Sequence, residues 1–306
     1  MNIEVNRINK GICDNPEKYA IQTNEIFLYQ LKQIAEKIAS NIENRPVILL
    51  AGPSGSGKTT TAFRLTKLLG ELGCGCHTIS MDNYFKSLSD EERELSAQGK
   101  VDLESPDRID KELLNVQIEA IEDCQPIEIP KYDFAKSARS DETKPFERKH
   151  GDAVIFEGIH ALNPDVITVP DSKLYKLYVS VRTRITKEGI VLNPAKIRLM
   201  RRMIRDRNFR KRSLDETMSM YNSVQAGENK YIMPYKTRSD YDIDTFLAYE
   251  MSVYRYNLLD DLRLMENKQE LSDVIEILSS LAPMDNELVP RDALIREFIG
   301  KIETGF

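Results

Sequence analysis

Short apolar runs alternate with longer amphipathic segments along most of the chain. We predict buried strands at residues 47–51, 76–80, 153–156, 174–181 and 241–244. The segments between them, such as 109–124, carry apolar residues at helical spacing. Strands separated by helices indicate a doubly wound parallel sheet, so the pattern predicts an α/β fold. Residues 127–134 and 145–148 are predicted to pair as a hairpin.

Both ends of the chain carry helical patterns outside this alternation. Residues 16–43 have apolar positions close to helical spacing, and an Arg-Pro pair at 45–46 ends that helix. Near the C-terminus we predict helices at 271–281 and 293–302. The predicted parts are an N-terminal helical segment at 1–45, a core at 46–265 with a lid at about 194–213, and a C-terminal helical extension at 266–306.

Composition narrows the functional classes. The chain has 306 residues, of which 41% are hydrophobic and 30% are charged, as in soluble globular proteins. No apolar run approaches the roughly 18 residues of a membrane helix, and the N-terminus does not resemble a signal peptide. We therefore expect a cytoplasmic protein without a membrane partner. A net charge of −6 argues against general affinity for nucleic acid.

The most informative motif is Gly-Pro-Ser-Gly-Ser-Gly-Lys-Thr at residues 52–59, a complete phosphate loop between a predicted strand and a predicted helix. The backbone N–H groups of such a loop, and the N-terminus of the helix, bind phosphate oxygens. Lys58 would reach the β- and γ-phosphates, and the Thr59 hydroxyl would bind Mg²⁺. The predicted nucleotide contacts are Gly52, Ser54, Gly55, Ser56, Gly57, Lys58, Thr59 and Thr60.

Two carboxylates follow predicted strands. Asp82 comes directly after the strand at 76–80, where it could accept the proton of an attacking hydroxyl. Glu157 ends the strand at 153–156, where a second anchor for Mg²⁺ is expected. The alternatives are a helix cap for Asp82 and a surface charge for Glu157.

A basic amphipathic helix is predicted at residues 196–212. Its cationic residues are Lys196, Arg198, Arg201, Arg202, Arg205, Arg207, Arg210, Lys211 and Arg212, opposed only by Asp206. Two interpretations compete: a lid that closes arginines over a transferring phosphoryl group, and a surface for nucleic acid or anionic membrane. The phosphate loop favours the lid.

Together these motifs resemble the uridine kinase and phosphoribulokinase-like group of phosphate-loop kinases. Besides the phosphate loop, the matching strings lie at 81–85, 103–110, 132–134, 156–162 and 201–206, and the resemblance extends from about residue 30 to the end. The strings at 157–164, 223–235 and 294–300 are most similar to bacterial nucleoside kinases that are often fused to a threonyl-tRNA-synthetase-like N-terminal segment. We expect only the kinase part here.

The resemblance implies a role for each matching residue. Asp82 would take the proton of the ribose 5′-hydroxyl, while Lys58 and Thr59 hold phosphates and Mg²⁺ and Glu157 assists the metal. The residues that match catalytic lid arginines are Arg201, Arg205, Arg210 and Arg212. The predicted acceptor contacts are Asp82, Tyr84, Glu104, Tyr132 and Ser137, with Tyr132 near the base and Glu104 on the ribose hydroxyls.

Two positions depart from the family pattern. Uridine kinases carry a base-contacting histidine in Tyr-Asp-Phe-x-x-His, and here the position five residues after Tyr132 is Ser137. The ribose-site acid is Glu104 rather than aspartate. His160 does not replace the missing histidine by sequence position, and its neighbours suggest packing in the core or near the site.

We therefore predict an ATP-dependent, Mg²⁺-assisted kinase that phosphorylates the 5′-hydroxyl of a nucleoside, with uridine or cytidine first. One alternative is a kinase of another small alcohol, such as a sugar phosphate or a non-pyrimidine nucleoside. The other is a nucleotide-dependent regulatory or RNA-associated protein that uses residues 196–212 for contact. The choice between ATP and GTP, and a homo-oligomeric state, remain open.

Overall fold

The computed structural model of the protein describes residues 1–97, 101–266 and 268–300. Its strands are β1 Asn2–Glu4, β2 Val47–Ala51, β3 Cys76–Ser80, β4 Ile127–Asp133, β5 Ala138–Phe146, β6 Ala153–Glu157, β7 Leu174–Ser180, β8 Arg184–Lys187, β9 Ile190–Leu192 and β10 Tyr241–Asp244. Its α-helices are α1 Val5–Asp14, α2 Pro16–Ala39, α3 Lys58–Glu71, α4 Asp90–Ala97, α5 Lys111–Glu122, α6 Pro194–Arg210, α7 Leu214–Ser219, α8 Tyr221–Tyr231, α9 Glu250–Leu264, α10 Ser272–Ser279 and α11 Arg296–Ile299.

The centre of the fold is a parallel sheet with the strand order β10-β7-β2-β6-β3. Every residue of β2 is buried, because this strand has a neighbour on each side and helices on both faces. The five strands are those predicted from the apolar runs, and the doubly wound α/β fold is confirmed. In such a sheet the loops after the strands meet at one edge, which is where ligands bind.

Two smaller sheets flank the central one. The predicted hairpin is present as the antiparallel pair β4 and β5, although β5 begins well before the predicted residue 145. The second small sheet has the order β1-β8-β9 and was not predicted. Its parallel pairing joins Asn2 to Arg184, a contact between distant parts of the chain that local patterns do not reveal.

The terminal segments share the hydrophobic core of the sheet domain. One buried cluster contains Leu31 of α2, Ile48 of β2, Ile277 of α10 and Phe298 of α11, each with no exposed surface. The predicted helix at 16–43 is α2, which is preceded by the unpredicted α1. The predicted helix at 293–302 contains the short α11, and its last two positions lie outside the described residues.

Within the described ranges, no helix combines the length and the apolar character needed to cross a membrane.

Candidate functional site

The phosphate loop connects β2 to α3 at the carboxyl edge of the sheet. Two of its glycines are required by the backbone: a Cβ on Gly52 would lie 2.1 Å from the carbonyl oxygen of Val179, and Gly57 has a φ of +86°. The Lys58 ammonium donates to the carbonyl of Gly52 at 2.9 Å. The loop therefore has the strand, turn and helix geometry that the motif predicts.

Asp82 and Glu157 both lie close enough to Lys58 for electrostatic interaction. β3 and β6 are adjacent, and Ser80 is paired with Glu157 in the register. Burial raises the pKa of the Asp82 carboxyl, and the charge of Lys58 opposes that rise. Burial also raises the pKa of Glu157, Lys58 opposes it, and the charges of Asp82 and Glu297 increase it further. The structure thus brings together a lysine and two carboxylates that are far apart in sequence.

The donor set at this edge fits Mg²⁺. Thr59 is exposed at the start of α3 and offers a hydroxyl oxygen, and Glu157 offers a carboxylate. Among the described residues no group of three or more His, Cys, Asp or Glu side chains could hold a metal ion. That agrees with how Mg²⁺ is usually bound in phosphotransferases, by one or two protein oxygens together with substrate phosphates.

Helix α6 is anchored to the phosphate loop by two arginines. It begins with the Asn193 side chain capping its first turn and with proline at its first position. Arg198 Nη1 donates to the Ser54 carbonyl at 3.0 Å, and Arg201 Nη1 donates to the Gly55 carbonyl at 3.1 Å. A helix that carries the predicted lid arginines is therefore fastened to the loop that it is expected to serve.

Each anchoring arginine is paired with a buried carboxylate. Arg198 binds both oxygens of Glu228, at 2.7 and 2.8 Å. Arg201 has no exposed surface and binds both oxygens of Glu250, at 2.9 and 3.0 Å. Removing one partner of such a pair costs roughly 3–5 kcal/mol. Arg201 was predicted to be a catalytic lid arginine; its complete burial instead favours a positioning role, since its guanidinium is occupied by Glu250 and by loop carbonyls.

The remaining predicted lid arginines surround one buried acid. Arg205 contacts the Asp206 carboxylate at 3.0 Å and Arg210 contacts it at 3.3 Å, while Arg212 lies 3.9 Å away. Asp206 has no exposed surface, whereas the Arg210 and Arg212 side chains are about half exposed. One negative charge therefore holds three cations together and leaves a net positive surface at the end of α6.

Glu104, which was predicted to contact the acceptor, is packed against α8. Burial raises the pKa of this carboxyl, the nearby charge of Glu228 adds to the rise, and Arg202 and Lys58 oppose it. Gly227 of α8 allows the close approach, because a Cβ there would lie 2.8 Å from the Glu104 Cβ. Glu104 is thus close enough to Lys58 for electrostatic interaction, as Asp82 and Glu157 are.

The two tyrosines predicted to contact the acceptor occupy different surroundings. Tyr132 is 8% exposed, and its hydroxyl accepts a hydrogen bond from Arg108 at 3.1 Å. Its backbone N–H is 3.5 Å from the side chain of Asn83, next to Asp82. Tyr84 is fully buried and donates to Gln117 at 2.7 Å, so its position favours packing rather than contact with an acceptor.

Ser137 lies in the turn between β4 and β5, where its φ is +49°. Its carbonyl accepts a hydrogen bond from the N–H of Leu88 at 3.0 Å. No described contact joins Ser137 to Asp82 or Glu104, so its place in the acceptor site stays a prediction.

His160 is buried behind the segment that carries Glu104. It is 1% exposed, its ring contacts the edge of Tyr231 at 6.2 Å between centroids, and burial lowers its pKa to about 4. The imidazole is therefore neutral near pH 7. This position supports the packing role considered from the sequence.

Sequence reasoning missed several residues that the structure brings to the site. They are Arg198 and Arg202, which were noted only as charges, together with Asp206, Glu228, Glu250 and Glu297. As the one acid within the basic segment 196–212, Asp206 could have been predicted from the sequence to pair with its arginines. Glu228, Glu250 and Glu297 lie far from the phosphate loop in sequence, so only tertiary contacts reveal their partners.

Comparisons with known proteins agree with this geometry. The model of the phosphoribulokinase / uridine kinase family matches residues 47–251. A uridine kinase of Lactobacillus helveticus is 34% identical over 199 residues, which are 64% of this chain and 85% of that protein. A uridine kinase of Halobacterium salinarum is 32% identical over 192 residues, which are 62% of this chain and 76% of that protein.

Two solved structures share the fold. A protein of Silicibacter sp. TM1040, assigned as a fructose transport system kinase, has a TM-score of 0.52 and 16% identity, and the match covers 69% of this chain and 98% of that one. YFH7 of Saccharomyces cerevisiae, assigned as a P-loop kinase with a circular permutation, has a TM-score of 0.50 and 11% identity, with 72% and 98% covered.

Proposed function

This chain belongs to the phosphoribulokinase / uridine kinase family and is a phosphotransferase with an alcohol acceptor, and we propose that it transfers the γ-phosphoryl group of ATP to the 5′-hydroxyl of a nucleoside. The proposal takes uridine or cytidine as the first acceptors, and uridine is the acceptor in the names of the similar kinases. The observation that carries it is the convergence of Asp82, Glu157 and Glu104 on Lys58.

The arrangement divides the work of phosphoryl transfer among a few side chains. Lys58 and the loop N–H groups bind the phosphates of the donor, and Thr59 and Glu157 would hold Mg²⁺, which neutralises charge on the phosphates when bound. Asp82 is the general base that removes the proton of the acceptor hydroxyl. Its raised pKa makes it a stronger base than an exposed aspartate.

The lid supplies positive charge where the phosphoryl group moves. Arg205, Arg210 and Arg212 form a cationic group at the end of α6, and α6 is fixed to the loop through Arg198. Such charges act mainly on the transition state, because negative charge spreads over the transferring oxygens at that point. Glu104 is proposed to bind the ribose hydroxyls from the opposite side.

The acceptor base is the finer part of the proposal. A polar pocket rejects a base whose groups leave its buried donors and acceptors unpaired. Ser137 stands where the family carries histidine, so the pocket has a shorter side chain and more room at that turn. We therefore expect weaker discrimination among bases than in enzymes with the histidine, or a shifted preference.

An acceptor panel tests the function and its specificity together. Release of ADP from ATP and Mg²⁺ is measured with uridine, cytidine, inosine, adenosine and sugar phosphates, and only an acceptor-dependent rate counts. Lys58→Ala should abolish this rate in a folded protein, because it removes the charge that neutralises the phosphates. Slow hydrolysis that no acceptor stimulates would contradict the kinase and favour a regulatory protein.

The same panel with Ser137→His and Ser137→Ala tests the base preference. The histidine variant should raise the ratio of kcat/KM for uridine over inosine by about tenfold, about 1.4 kcal/mol in binding discrimination. Histidine tolerates the positive φ of this turn better than most residues. The opposite outcome is an unmodified protein that is strictly selective for pyrimidines. If Ser137→Ala leaves that selectivity unchanged, residues other than Ser137 determine which base is bound.

A further inference from the structure

The C-terminal segment at residues 293–300 packs directly on the phosphate loop. The Leu294 side chain lies against Gly57, where a Cβ would be 2.8 Å from the leucine Cδ1. Three residues further on, Glu297 Oε2 accepts two hydrogen bonds from Thr60. One comes from the backbone N–H at 3.2 Å, and the other comes from the hydroxyl at 2.6 Å.

These two donors belong to the phosphate-binding machinery. Thr60 lies in the first turn of α3, whose N-terminal N–H groups have no partner within the helix and attract negative charge. A carboxylate and a phosphate oxygen present the same kind of acceptor to such groups. Thr60 was predicted to contact the nucleotide, and in this structure its donors bind an acid of the same chain.

We propose that Glu297 is an internal anionic ligand of the phosphate loop, which competes with the phosphate chain of the nucleotide and thereby sets the affinity for the donor. The inference rests on the proposed function, since it concerns the donor side of the same site. One Thr60 hydroxyl and one N–H cannot serve a carboxylate and a phosphate at the same time. The Glu297 carboxylate and a phosphate would also repel each other at this partly buried position.

The segment around Glu297 is fixed, so the exchange needs only a side-chain movement. Phe298 is fully buried, with the Arg201 guanidinium 5.3 Å from its ring centroid. Arg296 is 7% exposed and donates to the Asn286 carbonyl at 2.8 Å. Glu297 itself is only partly buried. The backbone can therefore stay in place while the carboxylate leaves Thr60.

The charge of Glu297 also reaches the metal side of the site. It is one of the charges that raise the pKa of Glu157. A donor nucleotide brings several negative charges to this place, so the carboxylate opposes its binding through charge as well as through occupied donors. Lys58 is the cation that opposes this rise in the pKa of Glu157.

Nucleotide binding without an acceptor tests the proposal. Affinities for ADP and for inorganic tripolyphosphate are measured by calorimetric titration in the full chain and in Glu297→Ala, Glu297→Gln and Glu287→Ala. Glu297→Ala should bind both ligands about tenfold more tightly, equivalent to about 1.4 kcal/mol. Glu297→Gln keeps an acceptor oxygen and loses the charge, so its gain should be smaller.

Glu287→Ala is the matched control, because Glu287 is an exposed acid in the same C-terminal region and its affinities should not change. Unchanged or weaker binding in both Glu297 variants, with melting temperatures like that of the unmodified protein, overturns the proposal. So does a gain for ADP without a gain for tripolyphosphate, which would place the effect at the nucleoside. Failure of every variant and of the unmodified protein to bind either ligand would overturn the proposed function itself.

Discussion

Asp82, the proposed general base, lies within electrostatic range of the phosphate-loop lysine. It sits directly after β3, partly buried, with the charge of Lys58 acting against the cost of its burial. A carboxylate with a raised pKa is a stronger base toward a hydroxyl proton. Base and phosphate-binding cation therefore act on each other before any substrate arrives.

Asp82→Asn should reduce kcat by roughly 10²–10⁴-fold, because the amide can orient a hydroxyl but cannot take its proton. The affinity for ADP should change little. The measurement is steady-state turnover beside calorimetric binding, and Asp90→Asn, on an acid whose side chain is 97% exposed, is the control. An unchanged kcat with weaker acceptor binding would make Asp82 a binding residue.

The pH dependence of the same variant checks the role of the carboxyl. Because the pKa of Asp82 is raised above 3.8, kcat/KM of the unmodified protein should fall as pH drops through a value above 3.8. The ionised form is the active one, so activity is retained on the alkaline side of that value. This fall in kcat/KM at low pH should be absent from the residual activity of Asp82→Asn.

At the scale of elements, α6 has two functions along its length. Its first half carries Arg198 and Arg201, which hold the phosphate loop by its carbonyls. Its end carries Arg205 and Arg210, gathered around Asp206, and the chain leaves the helix through Lys211 in a left-handed conformation. The buried arginines thus connect the phosphate loop to the cationic end of the helix.

Arg205→Ala and Arg210→Ala should each lower kcat by about 10²-fold or more while KM for the acceptor changes less, since their charge acts in the transition state. Arg207→Ala is the matched control on α6, because Arg207 contacts Asp261 and not Asp206. Steady-state kinetics with the best acceptor provides the test. Intact turnover with lost RNA binding in the first two variants would favour an RNA-contact surface.

At the scale of the whole molecule, the ends of the chain complete the core that supports the site. α2, α10 and α11 share one buried cluster with the sheet, and the last of these brings Glu297 to the loop. Beside the segment that carries Glu104, burial lowers the pKa of His160 and keeps its imidazole neutral near pH 7. Stability and site geometry are therefore linked through groups that do not touch substrate.

His160 should make the free energy of unfolding depend on pH. Its pKa is 6.5 when unfolded and about 4 when folded, so between these values the unfolded state binds more protons. Stability from this group is present above pH 6.5 and falls by roughly 3 kcal/mol as pH drops to about 4.

Urea unfolding at pH 7 and at pH 4.5 measures the effect. His160→Gln should flatten the pH dependence even if it lowers stability at both values, and His150→Gln, on an exposed histidine, should leave it unchanged. Equal pH dependence in all three proteins would mean that carboxyl groups alone cause the loss in acid.

The sequence by itself determined the sheet, the phosphate loop, and the strand-end carboxylates Asp82 and Glu157. Continuous apolar runs, glycine at positions of positive φ, and a motif read within one stretch of chain are local signals. Tertiary structure alone decided that Arg201 is buried against Glu250, that Tyr84 packs in the core, and that Glu297 reaches Thr60 across 237 residues. The physical reason is range: propensity and periodicity act over a few residues, whereas these contacts exist only once the chain ends fold onto the sheet.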